Sequence, residues 1–147
     1  FTNHYPHVRH SVPLWNIKEL KDKSYEEWTY RKYFMTQNYL FPCNFVQIMT
    51  DHVYVHSIIP TGPGTCVFKC MMLISEPANT EKAQQYWEKN YNVVKEVFNE
   101  DFEIGEAIQA GLSTNANDNF VFGKYECGLH WGQKAIDDAL DGRLKAS

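Results

Sequence analysis

The 147-residue sequence is poor in cysteine and lacks any long apolar run. Its cysteines, Cys43, Cys66, Cys70 and Cys127, form no C-x2-C pair and no Cys/His zinc spacing, so a structural zinc site is unsupported. Their density is also too low to indicate a disulfide framework. No apolar stretch approaches the roughly 18 residues of a membrane-spanning helix, and no signal-peptide pattern is present. A reduced, cytoplasmic protein that does not enter a membrane is therefore predicted.

Clusters of basic residues and the common catalytic motifs are absent as well. The chain has 14 Lys and Arg against 18 Asp and Glu, a net charge of −4, and no basic run that could follow a phosphate backbone. Nucleic-acid binding is therefore not expected. The absence of G-x-S-x-G, P-loop, G-x-G-x-x-G and H-E-x-x-H patterns removes most support for hydrolase and nucleotide-binding functions. An aromatic fraction of 15% instead favours a roomy apolar interior.

The first half of the chain contains a predicted antiparallel meander. Residues 1–12 show neither a helix nor a strand period, and Ser24 with Glu27 is typical of a capping box before a short helix. Four segments rich in aromatic and β-branched residues then follow, separated by turn signals: Tyr33–Leu40, Phe45–Met49, Val53–Ile59 and Cys66–Ile74. Connections this short join antiparallel neighbours, which predicts three or four strands.

The second half contains two predicted helices. Apolar side chains recur at helical spacing from Ala83 to Leu112, after an N-cap at Thr80 or Asn79, with a kink or close approach at Gly105. A polar loop at 113–119, a short strand at 120–123 and a helix at 126–140 that ends near Gly142 complete the chain. Strands followed by helices predict a single α+β domain over residues 1–147.

Asp101 is the residue that this pattern does not explain. It falls on the apolar face of the long helix, and its neighbours one turn away, Val97, Phe98, Ile104 and Gly105, cannot pair a charge. A buried carboxylate needs a proton, a cation or a metal ion to neutralise it. An Arg or Lys from another element, or a misplaced helix face, would explain Asp101 structurally, whereas a metal would imply a function.

The other candidate residues have ordinary explanations beside the functional one. Trp87, Tyr91, Val94 and Phe98 are candidates for the wall of an apolar substrate cavity, although a stripe at helical spacing is by default core. The six histidines do not predict a metal site. His4, His7 and His10 lack a supporting helix, His52 and His56 are about 13 Å apart on a strand, and His130 is a surface candidate.

Several segments resemble one enzyme family. The stretch from Val97 to Ser113 is similar to the "ED…E.iQ.GL.S" helix in the catalytic domain of Rieske non-haem iron oxygenase large subunits. Residues 122–128 resemble the "fG..E.g" segment after that helix, and residues 39–44, 51–53 and 59–63 resemble the family's upstream strands. Cys43 stands where the family usually has Asn. The similarity covers roughly residues 7–142, in the right order and spacing.

The resemblance implies a helix-grip fold of the START type, an antiparallel sheet wrapped around the long C-terminal helix. It also implies that Asp101 is the carboxylate of a 2-His-1-carboxylate triad that holds mononuclear Fe(II), with open positions for dioxygen. A small apolar, possibly aromatic, substrate would be hydroxylated or demethylated. Electrons would come from NAD(P)H through a reductase or ferredoxin and a 2Fe-2S Rieske cluster, in a homotrimer or an alpha-beta oligomer.

The chain also departs from the family pattern. Nothing matches the family's D-x2-H-x4-H segment, which supplies the two His ligands, and the C-x-H and C-x2-H Rieske signature is absent. The chain is therefore expected to be the C-terminal part of a catalytic domain, incomplete and inactive alone. One alternative is a metal-free helix-grip module that binds an apolar small molecule. A second is an interaction domain with an exposed aromatic surface.

Overall fold

The computed structural model describes residues 1–116 and 119–144. The described chain forms two compact units. The first contains residues 1–75 and the residues from Phe122 onward, and the second contains residues 76–121. Among the described residues, no helix is both long and apolar enough to cross a membrane.

The first unit is built on a six-stranded antiparallel sheet whose strands follow one another in chain order. The strands are β1 (Thr2–His4), β2 (His7–Pro13), β3 (Phe34–Leu40), β4 (Asn44–Ile48), β5 (His52–Gly62) and β6 (Thr65–Ile74). Between β2 and β3 the chain forms two 3-10 helices, at Trp15–Asp22 and Tyr25–Glu27, and the short helix α1 (Tyr30–Tyr33). The largest fully buried side chains are Tyr33, Tyr54 and His56, and all three lie in this unit.

The strand register places one row of side chains on a single face of the sheet. Val8 lies opposite Tyr39, Tyr39 opposite Phe45, Phe45 opposite His56, and His56 opposite Cys70. Residues directly opposite each other in antiparallel strands share a face, so this row crosses the sheet from β2 to β6. Helix α3 (Cys127–Leu140) packs against β1 and β2.

The second unit contains helix α2 (Glu81–Leu112), which is about 48 Å long at 1.5 Å per residue. The hydroxyl oxygen of Thr80 accepts a hydrogen bond from the backbone N–H of Ala83 at 3.2 Å, which makes Thr80 rather than Asn79 the N-cap. The least exposed positions of α2 include Ala83, Trp87, Val94 and Phe98, on the face that the apolar spacing predicts. The helix is continuous through Gly105, and no described atom outside the helix backbone comes within 4 Å of a Cβ placed there.

The predicted α+β class and antiparallel meander are confirmed, as are helices α2 and α3. The meander is longer than expected, because residues 1–12, which show no strand period, form β1 and most of β2. The prediction of a strand at 120–123 is wrong, since these residues have no regular structure. In the predicted loop at 113–119, Asn117 and Asp118 lie outside the described residues.

Candidate functional site

A cavity of about 600 Å³ lies in the first unit, between the sheet and α3. Its sheet side includes Val8, Tyr39 and Phe45, three members of the row that crosses the sheet. Its helix side includes Gly132 and Ile136 of α3. Because β-strands alternate their side chains between faces, the row presents its apolar surface to α3 as a continuous wall.

Aromatic rings fix the geometry of the sheet wall. The ring of Phe45 stacks on that of His56, with centroids 4.6 Å apart and an interplanar angle of 28°. The hydroxyl of Tyr39 donates a hydrogen bond to the carbonyl oxygen of Pro42 at 2.7 Å, which holds the Tyr39 ring in place. On the other side, Phe1 stacks on His10 at 4.2 Å. Stacked or hydrogen-bonded aromatic rings therefore form part of the cavity lining.

The titratable groups of the sheet row are kept in their uncharged forms. Burial raises the pKa of the Tyr39 hydroxyl, with a further contribution from Cys43, and burial also raises the pKa of the Cys70 thiol. Burial lowers the pKa of the fully buried His56 imidazole. All three shifts favour the neutral species. These three groups of the row are therefore neutral near neutral pH, which suits an apolar ligand.

Polar groups in the cavity have partners within the protein. His10 Nδ1 lies 3.4 Å from Gln37 Oε1. Gln133 donates to the Asp137 carboxylate at 2.9 Å, and the Glu126 carboxylate accepts a hydrogen bond from the backbone N–H of Gly123. These contacts occupy much of the hydrogen-bonding capacity of the lining, so a neutral, largely apolar molecule fits it best.

The structure places Asp101 in the second half of α2, with an exposed side chain. The expected burial of Asp101 is therefore wrong, because the partly buried face of α2 fades after Phe98 and residues 101–110 are all exposed. The desolvation argument does not apply to an exposed carboxylate. The assignment of Asp101 as an iron ligand consequently depends on the sequence resemblance alone.

The predicted pocket residues of α2 do not line this cavity. Trp87, Val94 and Phe98 are partly buried, and Tyr91 is 38% exposed. Trp87 packs edge-on against Tyr86, and Phe98 stacks on Phe102 at 5.8 Å. Their role in a substrate pocket stays a prediction. The residues of the sheet and α3 were missed because β2 gave no strand signal, whereas the alternation in β3 and β4 could have pointed to Tyr39 and Phe45.

The histidines have the ordinary roles that were weighed for them. His7 Nδ1 accepts a hydrogen bond from the backbone N–H of Phe41 at 3.1 Å, and His52 Nδ1 lies 2.7 Å from the Asp51 carboxylate. His4 and His130 are exposed. Within residues 1–116 and 119–144, no three His, Cys, Asp or Glu side chains are grouped to hold a metal ion. A 2-His-1-carboxylate iron site therefore does not fit these residues by themselves.

Comparison with known proteins identifies a family for almost the whole chain. Residues 3–142 match the family model described as the ring hydroxylating alpha subunit, catalytic domain. The searches of curated proteins and of solved structures gave no match. The matched region includes β2 to β6, helices α2 and α3, and every cavity-lining residue except Phe1. With 140 of 147 residues matched, the chain belongs to the catalytic-domain family of ring-hydroxylating alpha subunits.

Proposed function

We propose that this chain forms the substrate-pocket and iron-ligand portion of a mononuclear Fe(II) oxygenase that oxidises a small, largely apolar substrate with O2. The observation that carries the proposal is the family match over residues 3–142, which includes the acid-bearing segment of α2. In this proposal residues 1–147 are a single domain, the C-terminal part of the catalytic domain, within a longer parent subunit.

Asp101 is proposed as the one iron ligand that the chain contributes. The described residues supply no second or third ligand beside it, so the two histidines belong, in this proposal, to a part of the parent subunit outside this sequence. A single exposed carboxylate does not hold iron with useful affinity, and the chain alone is accordingly expected to be inactive. Trp87, Tyr91, Val94 and Phe98 remain candidates for the pocket wall next to Asp101.

The cavity between the sheet and α3 supports an apolar substrate. Its volume lies within the range of roughly 300–1,000 Å³ that is typical of small-molecule sites, and its sheet wall contains the aromatic rings of Tyr39 and Phe45. Water is poorly accommodated by such a surface, so transfer of an apolar ring from water into the cavity is favourable.

The partners follow from the family and are part of the proposal. NAD(P)H would deliver electrons through a separate reductase or ferredoxin to a 2Fe-2S Rieske cluster in the parent subunit. The parent would assemble as a homotrimer or as an alpha-beta oligomer. The experiment is turnover of the parent subunit with its reductase, NADH and isotopically labelled dioxygen, on a panel of one-ring and two-ring arenes.

Product that carries oxygen atoms from dioxygen supports the proposed function. Absence of labelled product across the panel, in a preparation with full iron and full cluster, contradicts it. A metal-free binding module is the second candidate function, and the observation in its favour is the largely apolar cavity within the first unit. That function predicts apolar-ligand binding that is unaffected by Asp101→Ala and by removal of iron.

A further inference from the structure

The cavity is much larger than a single small ring requires. An apolar protein cavity of about 150 Å³ is enough to bind benzene. The cavity between the sheet and α3 is about 600 Å³, so a one-ring molecule would leave most of the lining without contacts. The volume and the aromatic rings of the sheet wall together indicate a largely apolar ligand with at least two fused or linked rings.

Gly132 is the point on α3 where the size of this space is controlled. A Cβ added to Gly132 would lie 3.8 Å from Cε1 of Tyr39, which is an ordinary van der Waals distance. No other described heavy atom outside its chain neighbours and helix backbone lies within 4 Å of that Cβ. A methyl group is therefore tolerated, whereas a larger side chain would press on the Tyr39 ring or extend into the cavity beside it.

The Tyr39 ring is held in position, because its hydroxyl donates a hydrogen bond to the carbonyl oxygen of Pro42 at 2.7 Å. Its ring cannot swing away to make room without losing that hydrogen bond. Gly128, one turn before Gly132, differs in this respect. A Cβ there would come within 2.5 Å of the Phe1 ring, so substitution of Gly128 would disturb packing instead of reducing the cavity.

We propose that Gly132, which lies beside the Tyr39 ring in the cavity lining, sets the upper size limit of the ring system that the protein accepts. The inference rests on the proposed function, because it takes the ligand of the cavity to be the small apolar substrate. Gly132 would determine substrate size because its lack of a side chain leaves space in the cavity. It lies on α3, a helix that contains neither Asp101 nor the predicted pocket residues. A side chain at position 132 is expected to restrict the cavity to smaller molecules.

The test is equilibrium binding of two neutral probes to the chain, without metal or dioxygen. N-phenyl-1-naphthylamine, a fluorescent molecule with two ring systems, is the large probe, and toluene, measured by competition, is the small one. Gly132→Leu is expected to raise the Kd of the large probe by about tenfold or more, while that of toluene changes by less than about twofold. Gly132→Ala should give a smaller change in the same direction.

Gly105→Ala is the matched control, because it is also a glycine in a helix and has open space around it. It should leave both Kd values unchanged. The inference is overturned if the wild type fails to bind the large probe, if Gly132→Leu leaves its Kd unchanged, or if both probes are lost equally. Should Gly132→Leu not fold, an unchanged large-probe Kd in folded Gly132→Ala overturns it. None of these binding results decides whether the parent subunit is an oxygenase, which the turnover experiment tests separately.

Discussion

The hydroxyl of Tyr5 donates a hydrogen bond of 2.5 Å to the carboxylate of Asp138, 133 residues further along the chain. The same carboxylate, only 5% exposed, lies 2.5 Å from Lys134 Nζ and 2.5 Å from Arg143 Nη2. The side-chain hydrogen bonds from Lys134, then Tyr5, then Arg143 hold the pKa of Asp138 well below its ordinary value. This carboxylate therefore joins the turn between β1 and β2 to α3 and to the residues after it.

Asp138→Asn is expected to lower the thermal unfolding midpoint, because the amide cannot satisfy three donors and removes a charge that Lys134 and Arg143 need. The control is Asp137→Asn, an exposed carboxylate on the same helix that accepts a hydrogen bond from Gln133. Thermal denaturation at pH 7 compares the two. Equal effects of the two substitutions would show that Asp138 has no special role.

Thr80→Ala is expected to destabilise the first turn of α2 by about 1 kcal/mol, because the Ala83 N–H loses its side-chain acceptor. Hydrogen exchange of the Ala83 amide measures this directly. Asn79→Ala is the control, since Asn79 precedes the cap, and it should leave that exchange rate nearly unchanged. Faster exchange in Asn79→Ala than in Thr80→Ala would reassign the cap.

His56 is expected to make the fold less stable as the pH falls. Its pKa in the folded protein is lowered from 6.5 by burial, so the unfolded chain takes up the proton first on acidification. The stability contributed by the neutral imidazole is fully present above about pH 6.5 and is lost as the pH falls through the folded-state pKa.

His56→Phe keeps a ring beside Phe45 and removes the titration, so its unfolding midpoint should fall less between pH 7.5 and 5 than that of the wild type. Exposed His130 provides the control, and His130→Gln should reproduce the wild-type pH dependence. Identical profiles for the wild type and His56→Phe would assign the pH dependence to other groups. The pKa of Asp138 is lowered from 3.8, so its contribution to stability is lost only as the pH falls below that value. That pH lies outside the range of this experiment.

The elements that depend on local signals were predictable from the sequence. Strands β3 to β6, α2 and α3 lie close to the predicted bounds, because alternating apolar residues, turn residues and the Thr80 cap are read within a few positions. Strand β2 was missed for two reasons. It pairs with a distant segment, so that Val8 lies opposite Tyr39. In addition, Pro6 and Pro13 interrupt any local strand pattern.

The candidate site was predictable only in part. Helical spacing predicted the partly buried face of α2, whose role in a site stays a prediction, but the exposure of Asp101 was not foreseen, because burial depends on which element lies over a helix face. The space between Tyr39 and Gly132 depends on how α3 approaches the sheet, and no local pattern encodes that distance. The shape of the cavity therefore could not be predicted from the sequence.

The central claim is that Asp101 contributes the carboxylate that holds iron in the parent subunit. The direct measurement is the iron content of the purified parent, with acid-labile sulfide measured in parallel to count the cluster. Asp101→Ala is expected to lose the mononuclear iron and turnover and to keep the sulfide, while Glu100→Ala, which removes the neighbouring exposed acid, keeps both. An Asp101→Ala subunit that retains its full mononuclear iron would contradict the account.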